Sequence, residues 1–310
     1  MASVSALRQL SFGHLVSTEQ VSREDMLAIF SVAQEMELVL QSGGMDLLQG
    51  KILASLFFEP STRTRLSFET AMQRLGGEII TADGIQFSSL YKGESIEDMI
   101  RVVSGYADVI CMRHPEEGSA EKAAAASVVP FLNAGDGPGQ HPTQGLLDVY
   151  TIQKECGRLD HIHIAVVGDL LYGRTVHSVS VLLSHFSGVR FTLISPPELR
   201  MPRKIVGMFD ERGIAYTETE QLEVGLSADV IYMTRIQQER FEDKSEYERL
   251  KGSYVLHADH LQGKKSVVMH PLPRVDEIDP SVDTLPHAAY FRQSANGVPV
   301  RMALLAMMLS

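Results

Sequence analysis

Short, near-continuous apolar runs recur along this chain, and stretches with helical periodicity separate them. The runs are KILASLFF (51–58), EIITA (78–82), DVICMR (108–113), VVPFLNAG (128–135), HIHIAVVGDL (161–170), RFTLISP (190–196), DVIYMTR (229–235) and SVVMH (266–270). Helical patterns lie at 22–40, 64–76, 95–107, 143–157 and 173–186. A strand that is apolar on both faces must be covered on both, so the alternation implies parallel sheets flanked by helices, an α/β doubly wound architecture. Eight strands suit one large sheet or two small ones. At ~150 residues per domain the length suggests two domains. The Gly/Pro-rich break GDGPGQHPTQ before a long helix is a plausible crossing between them, so two sheets are expected. The last segment, NGVPVRMALLAMMLS, reads as a C-terminal helix apolar nearly all round, hence packed on another helix.

Polar residues gather where strands hand over to helices. In FEPSTRTRLSFE, Ser61, Thr62, Arg63, Thr64 and Arg65 sit at such a junction. Ser61 or Thr62 can cap the helix, and the free N–H groups and positive dipole end of a helix start suit an anion. A plain cap with surface arginines is the bland alternative, but the density of hydroxyls favours a tetrahedral phosphate. The spacing is not that of a nucleotide P-loop. Arg113 closes the run DVICMR, and charged side chains at the carboxyl ends of parallel strands face the crevice where α/β proteins bind ligands. His141 and Gln144 follow VVPFLNAG in the same way, whereas His114 reads as structural.

The second half repeats the theme. Gly168 follows a strand and precedes a helix, but the G-x-G-x-x-G pattern of dinucleotide sites is absent. Arg174 starts that helix, and Arg235 ends a later strand with Gln237 two residues on. Guanidinium forks bind carboxylates bidentately, so this pair suits a dicarboxylate. In MHPLPRVDE two prolines stiffen the backbone, and its carbonyls could accept hydrogen bonds from an amine. A phosphate nest in the first half and a dicarboxylate fork in the second are thus expected.

A net charge of −11 argues against general affinity for nucleic acid or an anionic membrane. Cys111 and Cys156, with no CxxC, exclude a disulfide scaffold or structural zinc site and fit a reducing compartment. No apolar run approaches the roughly 20 residues that span a bilayer. The N-terminus lacks the apolar core of a signal peptide, so the cytoplasm is expected, or a plastid if a transit peptide has been removed.

FEPSTRTRLSFE, MRHPEEG, AGDGPGQHPTQ, GDLLYGRTVHS, YMTRIQQERF and MHPLPRVDEI, in this order, resemble the catalytic chains of the aspartate carbamoyltransferase family from about residue 10 to 309. The resemblance implies two α/β domains: residues 1–142 plus about 291–310 for carbamoyl phosphate, and 143–290 for L-aspartate. It also implies a C-terminal helix returning to the first domain. The product would be N-carbamoyl-L-aspartate, the committed step toward pyrimidines, and the assembly a homotrimer with shared active sites. Carried over by resemblance, Ser61, Thr62, Arg63 and Thr64 hold the phosphate, and Arg113 and His141 reach it too. Thr64, Arg113 and His141 lie near the carbonyl oxygen and Gln144 near the carbamoyl amide. Arg174, Arg235 and Gln237 bind the aspartate carboxylates, and the carbonyls around Leu272 and Pro273 position the amines. The stretch FSSLYKGES matches a loop that enters a neighbouring subunit's site with Ser88 (or its neighbour Ser89) and Lys92. Arg65 is left a structural role.

No cofactor, metal or covalent intermediate is expected, because phosphate is already a good leaving group. Both substrates are anions, so Arg63, Lys92, Arg113, Arg174 and Arg235 would supply a focused positive field inside an acidic protein. The nearest rival is a carbamoyltransferase acting on ornithine. That relative carries His-Cys-Leu-Pro where this chain has His270-Pro271-Leu272-Pro273, and a Ser-Met-Gly loop that is not found here. A catalytically silent binding protein is a second rival, which the complete residue set argues against. The missing glycine fingerprint weighs against a third, a nicotinamide-dependent dehydrogenase. Regulatory chains, or a nucleotide inhibitor at the site, are left open.

Overall fold

The computed structural model describes residues 7–84, 89–237 and 243–309. Two compact units emerge, one of residues 1–147 with 296–310 and one of residues 148–295. In chain order the strands and helices are β1 (His14–Leu15), α1 (Arg23–Gln41), β2 (Ile52–Phe57), α2 (Thr62–Arg74), β3 (Glu78–Asp83), α3 (Ile96–Val103), β4 (Val109–His114), α4 (Ser119–Ala126), β5 (Phe131–Asp136) and α5 (Pro142–Cys156). Then come β6 (His163–Val167), α6 (Arg174–Leu183), β7 (Arg190–Ile194), α7 (Arg203–Arg212), β8 (Ala215–Thr219), α8 (Leu222–Gly225), β9 (Val230–Met233), α9 (Lys244–Leu250), β10 (Val267–Met269) and α10 (Tyr290–Leu309).

The expected pair of parallel sheets is present. Each sheet has five strands, ordered β1-β5-β4-β2-β3 in the first unit and β10-β9-β6-β7-β8 in the second. Every pairing is parallel. In the first unit the chain runs outward from β2 to β3, jumps back to β4, and then runs the other way to β5. The direction of winding therefore reverses between β2 and β4. In the second unit it reverses between β6 and β9 for the same reason. Ligands of open α/β sheets bind outside the carboxyl ends of the strands at such reversals. The topology alone marks four chain segments: those after β2, β4, β6 and β9.

Local sequence explains the elements around these points. Ser22 and Asp25 cap α1 reciprocally, with Asp25 N–H donating to Ser22 Oγ and Ser22 N–H to the Asp25 carboxylate. Met26, Ile29, Phe30, Ala33 and Met36 then form its buried stripe at helical spacing. Ala54, Leu56, Ile110, Met112 and Phe131 from the central strands pack with Ile100, Ala120 and Ala123 from the helices. In the second unit Ala165, Val167, Ile231, Met233 and Val268 form the corresponding centre. The expected C-terminal helix is α10, whose residues from 296 on group with the first unit. There Arg301, buried, donates to Thr143 Oγ1 at 3.1 Å and lies 4.9 Å from the Phe68 ring. No helix among the described residues is long and apolar enough to cross a membrane. Both thiols are free, and burial pushes Cys111 up to about 12, so it is inert at neutral pH.

Two strands escape the apolar-run reading. β8 (AYTET) is largely polar and lies at a sheet edge, while β1 is two residues long and pairs only with β5.

Candidate active site

The segment after β2 starts α2 at the first reversal point. Ser61 occupies the N-cap position in extended backbone, but its hydroxyl makes no cap hydrogen bond. The expected side-chain cap is thus absent. Ser61 and Thr62 instead line a cleft of ≈ 500 Å³ together with Phe57, Glu59, Arg65 and Gly84. Thr64 is buried, with Oγ1 3.3 Å from His141 Nε2. His141 is placed by α5: its carbonyl accepts from the amides of Gln144 and Gly145, and Pro142 follows it as the first helical residue. Gln144 lies in the same first turn.

Arg113, at the end of β4, donates Nε to Glu59 at 2.9 Å and is largely buried. Arg63 lies on the exposed first turn of α2. Partial desolvation of its guanidinium, and after that the like charge of Arg113, lower its pKa from the ordinary arginine value. Glu59 was not legible as a site residue, since its role is to hold Arg113 and a lone Glu before Pro gives no periodic signal.

Arg65 takes the structural role assigned to it. Its Nε donates to Glu69 at 2.9 Å, and it also bonds Asp83 on β3. Ser55 Oγ and Thr81 Oγ1 donate to the same Glu69 oxygen at 2.9 and 3.2 Å. Glu69 therefore ties α2 to β2 and β3, fixing the helix start over the sheet. Glu69→Ala is expected to cost ~1–3 kcal/mol, because fully buried Ser55 loses its acceptor. A urea midpoint that falls at unchanged slope would show it. His114 is likewise structural: it is buried, its Nδ1 accepts from the Glu116 amide, and burial lowers its pKa. Lys92 is exposed on the 3-10 turn Ser89–Lys92, and Ser88 lies outside the described residues.

At the second reversal point Gly168 follows β6 with φ +117°, a conformation other residues rarely adopt. The segments after β6 and β9 are laced together. Thr234 N–H donates to Val167 O at 2.8 Å, Asp169 N–H to Thr234 Oγ1 at 3.1 Å, and Gln237 Nε2 to Tyr172 O at 3.2 Å. Arg174, half-buried, starts α6 two residues after Tyr172. Arg235 lines a cleft of ≈ 180 Å³ with Gly168, Thr234 and, on the far wall, Val275, Asp276 and Glu277. Leu272 has φ +55° and precedes Pro273 across a cis peptide bond. Among the described residues no three His, Cys, Asp or Glu side chains group so as to hold a metal ion.

Known proteins supply a chemical context. The family profile "Aspartate/ornithine carbamoyltransferase, carbamoyl-P binding domain" matches residues 13–154, and "Aspartate/ornithine carbamoyltransferase, Asp/Orn binding domain" matches 160–308. The aspartate carbamoyltransferase catalytic subunit of Methanocaldococcus jannaschii is 55% identical over 94% of this chain and 96% of its own length. That of Methanothrix thermoacetophila is 56% identical over 96% and 98%. A crystal form of the M. jannaschii catalytic subunit superposes with TM-score 0.91, covering 96% of this chain and 98% of that one. Trypanosoma cruzi aspartate transcarbamoylase, solved in complex with carbamoyl phosphate and aspartate, matches at TM-score 0.91 and 39% identity over 99% of both chains.

Proposed function

This chain belongs to the aspartate carbamoyltransferase family, and on that premise we propose that it transfers the carbamoyl group of carbamoyl phosphate to the amine of L-aspartate. The products are N-carbamoyl-L-aspartate and phosphate, on the route to pyrimidines. The observation that carries the reading is the 3.3 Å approach of Thr64 Oγ1 to His141 Nε2, on a helix start whose N-cap hydroxyl makes no cap bond. A phosphate dianion suits the free N–H groups of such a helix start, with Arg63 on its first turn.

Ser61, Thr62, Arg63 and Thr64 bind the phosphate, with Arg113 reaching it from the end of β4 and His141 from the start of α5. The amine nitrogen attacks the carbamoyl carbon, and the C=O electron pair moves onto oxygen. Thr64, Arg113 and His141 stabilise that oxyanion as fixed donors. The 3.3 Å approach of Thr64 to His141 supports their acting on one atom. Gln144 holds the carbamoyl NH₂. As the carbonyl re-forms, the C–O bond to phosphate breaks, phosphate keeps its electron pair, and the proton shed by the new amide nitrogen can go to it. Holding both reactants in attack geometry supplies much of the rate.

Arg174, Arg235 and Gln237 bind the two carboxylates of aspartate, and the Leu272 and Pro273 carbonyls accept from the amines. Two guanidinium groups suit a dicarboxylate and repel the ammonium side chain of ornithine. The working assembly is a homotrimer in which Lys92 and Ser88 complete a neighbouring subunit's site. Regulatory chains are candidate partners, since the curated relatives are catalytic subunits. The expected compartment is the cytoplasm.

Phosphate and carbamoyl-amino-acid release from carbamoyl phosphate, measured with L-aspartate and L-ornithine in parallel, tests the reading. Turnover with aspartate alone is expected. Ornithine turnover would overturn the assignment of Arg174 and Arg235, and turnover with neither would leave a binding protein.

A further inference from the structure

The cleft beside Arg235 has one wall built from the loop that follows β10, and the shape of that loop rests on a buried pair. His270 and Glu277 are 1% and 4% exposed, and His270 Nε2 lies 2.6 Å from Glu277 Oε1. The other ring nitrogen, Nδ1, receives the Leu272 amide at 2.8 Å. An amide can only donate, so Nδ1 must carry a lone pair and the proton must sit on Nε2, donating to Glu277. The second carboxylate oxygen of Glu277 accepts from the amides of Val275 and Asp276, both at 3.1 Å. Burial alone would raise the Glu277 carboxyl, yet the His270 hydrogen bond, with the backbone amides, holds it below the ordinary value.

Behind the loop the His270 amide donates to Gln293 Oε1 at 2.8 Å. Gln293 Nε2 and Tyr232 OH both donate to the buried Asp148 carboxylate at 2.6 Å. Every group in this set lies in the second unit. It anchors a segment in which Leu272 is held at φ +55°, a backbone conformation that persists for a residue other than glycine only when its surroundings enforce it. We infer that His270 is a positioning residue for the amino-acid substrate: as a neutral imidazole it clamps the Leu272 amide and thereby sets the Leu272 and Pro273 carbonyls and the far wall of the Arg235 cleft. This rests on the aspartate-binding reading of that cleft and names the residue that keeps its geometry.

Two variants separate the two ring nitrogens. His270→Gln can still donate to Glu277 but offers no acceptor at the Nδ1 position. His270→Asn keeps an acceptor there and loses the donor. The KM for aspartate is expected to rise about tenfold in His270→Gln, with the KM for carbamoyl phosphate unchanged, and to stay closer to the wild-type value in His270→Asn. A merely structural role would raise both KM values together or rank the variants alike, and either result overturns the inference. So does a wild-type aspartate KM in His270→Gln. If His270→Gln fails to fold, ¹⁵N NMR of the wild-type imidazole decides: an Nε2–H neutral ring is expected, and an Nδ1–H ring or an imidazolium at neutral pH overturns the inference. A wild-type protein that ignores aspartate would sink the functional reading instead, and this inference with it.

Discussion

Arg63→Ala is expected to lower kcat by about 10²–10³ or more while leaving the fold intact. The two halves of that statement have separate causes. Arg63 is exposed on the first turn of α2, and α2 is held to the sheet by Phe68, Ala71, Met72 and the Glu69 network instead. Exposed substitutions of that kind stay within about 0.5 kcal/mol. Catalysis has no such insulation, because the phosphate must be held while negative charge moves onto it. Arg63→Lys serves as the control, since it restores a point charge without the planar fork and should recover only part of the loss. Circular dichroism and thermal melting matching the wild type, beside steady-state kinetics at saturating carbamoyl phosphate, would check both halves. Substantial turnover by a folded Arg63→Ala would refute the phosphate nest.

Strand–helix junctions and apolar runs carry what could be read from the chain alone. STRTR at a strand–helix junction is the pattern behind the proposed anion site, and the parallel sheets follow from apolar runs such as KILASLFF and DVIYMTR. Those signals survive because buried strands and helix starts have strong local chemistry. The polar edge strand β8 has none, since nothing on its exposed face obliges a side chain to be apolar. Glu59, Glu69 and the His270–Glu277 pair were hidden for a different reason. Each acts through a partner distant in sequence, at separations of 54, 14 and 7 residues for Arg113, Ser55 and His270, and only the folded backbone brings the partners together. Ser61 shows the reverse case. Its type and position call for a cap, but the structure leaves the hydroxyl without one, beside the cleft it helps to line. The winding reversals at β2/β4 and β6/β9 then bring together segments that lie far apart along the chain. Arg113 and STRTR share one reversal, and Arg174 and Arg235 share the other.

Gly168→Ala is expected to destabilise the second unit by about 2–5 kcal/mol, from left-handed backbone strain together with overpacking. At φ +117° an added Cβ would lie 2.3 Å from Thr234 O and 2.7 Å from Thr234 Oγ1. The first of these atoms is backbone, so no rotamer change removes the clash, and either β6 or the segment after β9 must shift. Thr234 cannot yield freely, because its amide and hydroxyl both donate to Val167 O and the hydroxyl also accepts from Asp169 N–H. The strain is therefore passed to the next residue, Arg235, and to the Gln237–Tyr172 bond that links it to the start of α6. Two readouts should move together: a melting temperature lowered by several degrees, and a KM for aspartate raised several-fold in the protein that remains folded. Carbamoyl phosphate binding should hold, because its proposed ligands belong to the other unit. An alanine variant with wild-type stability would mean that the approach of Gly168 to Thr234 is looser than described. A destabilised variant with unchanged aspartate KM would separate the glycine from the carboxylate site and confine its role to packing.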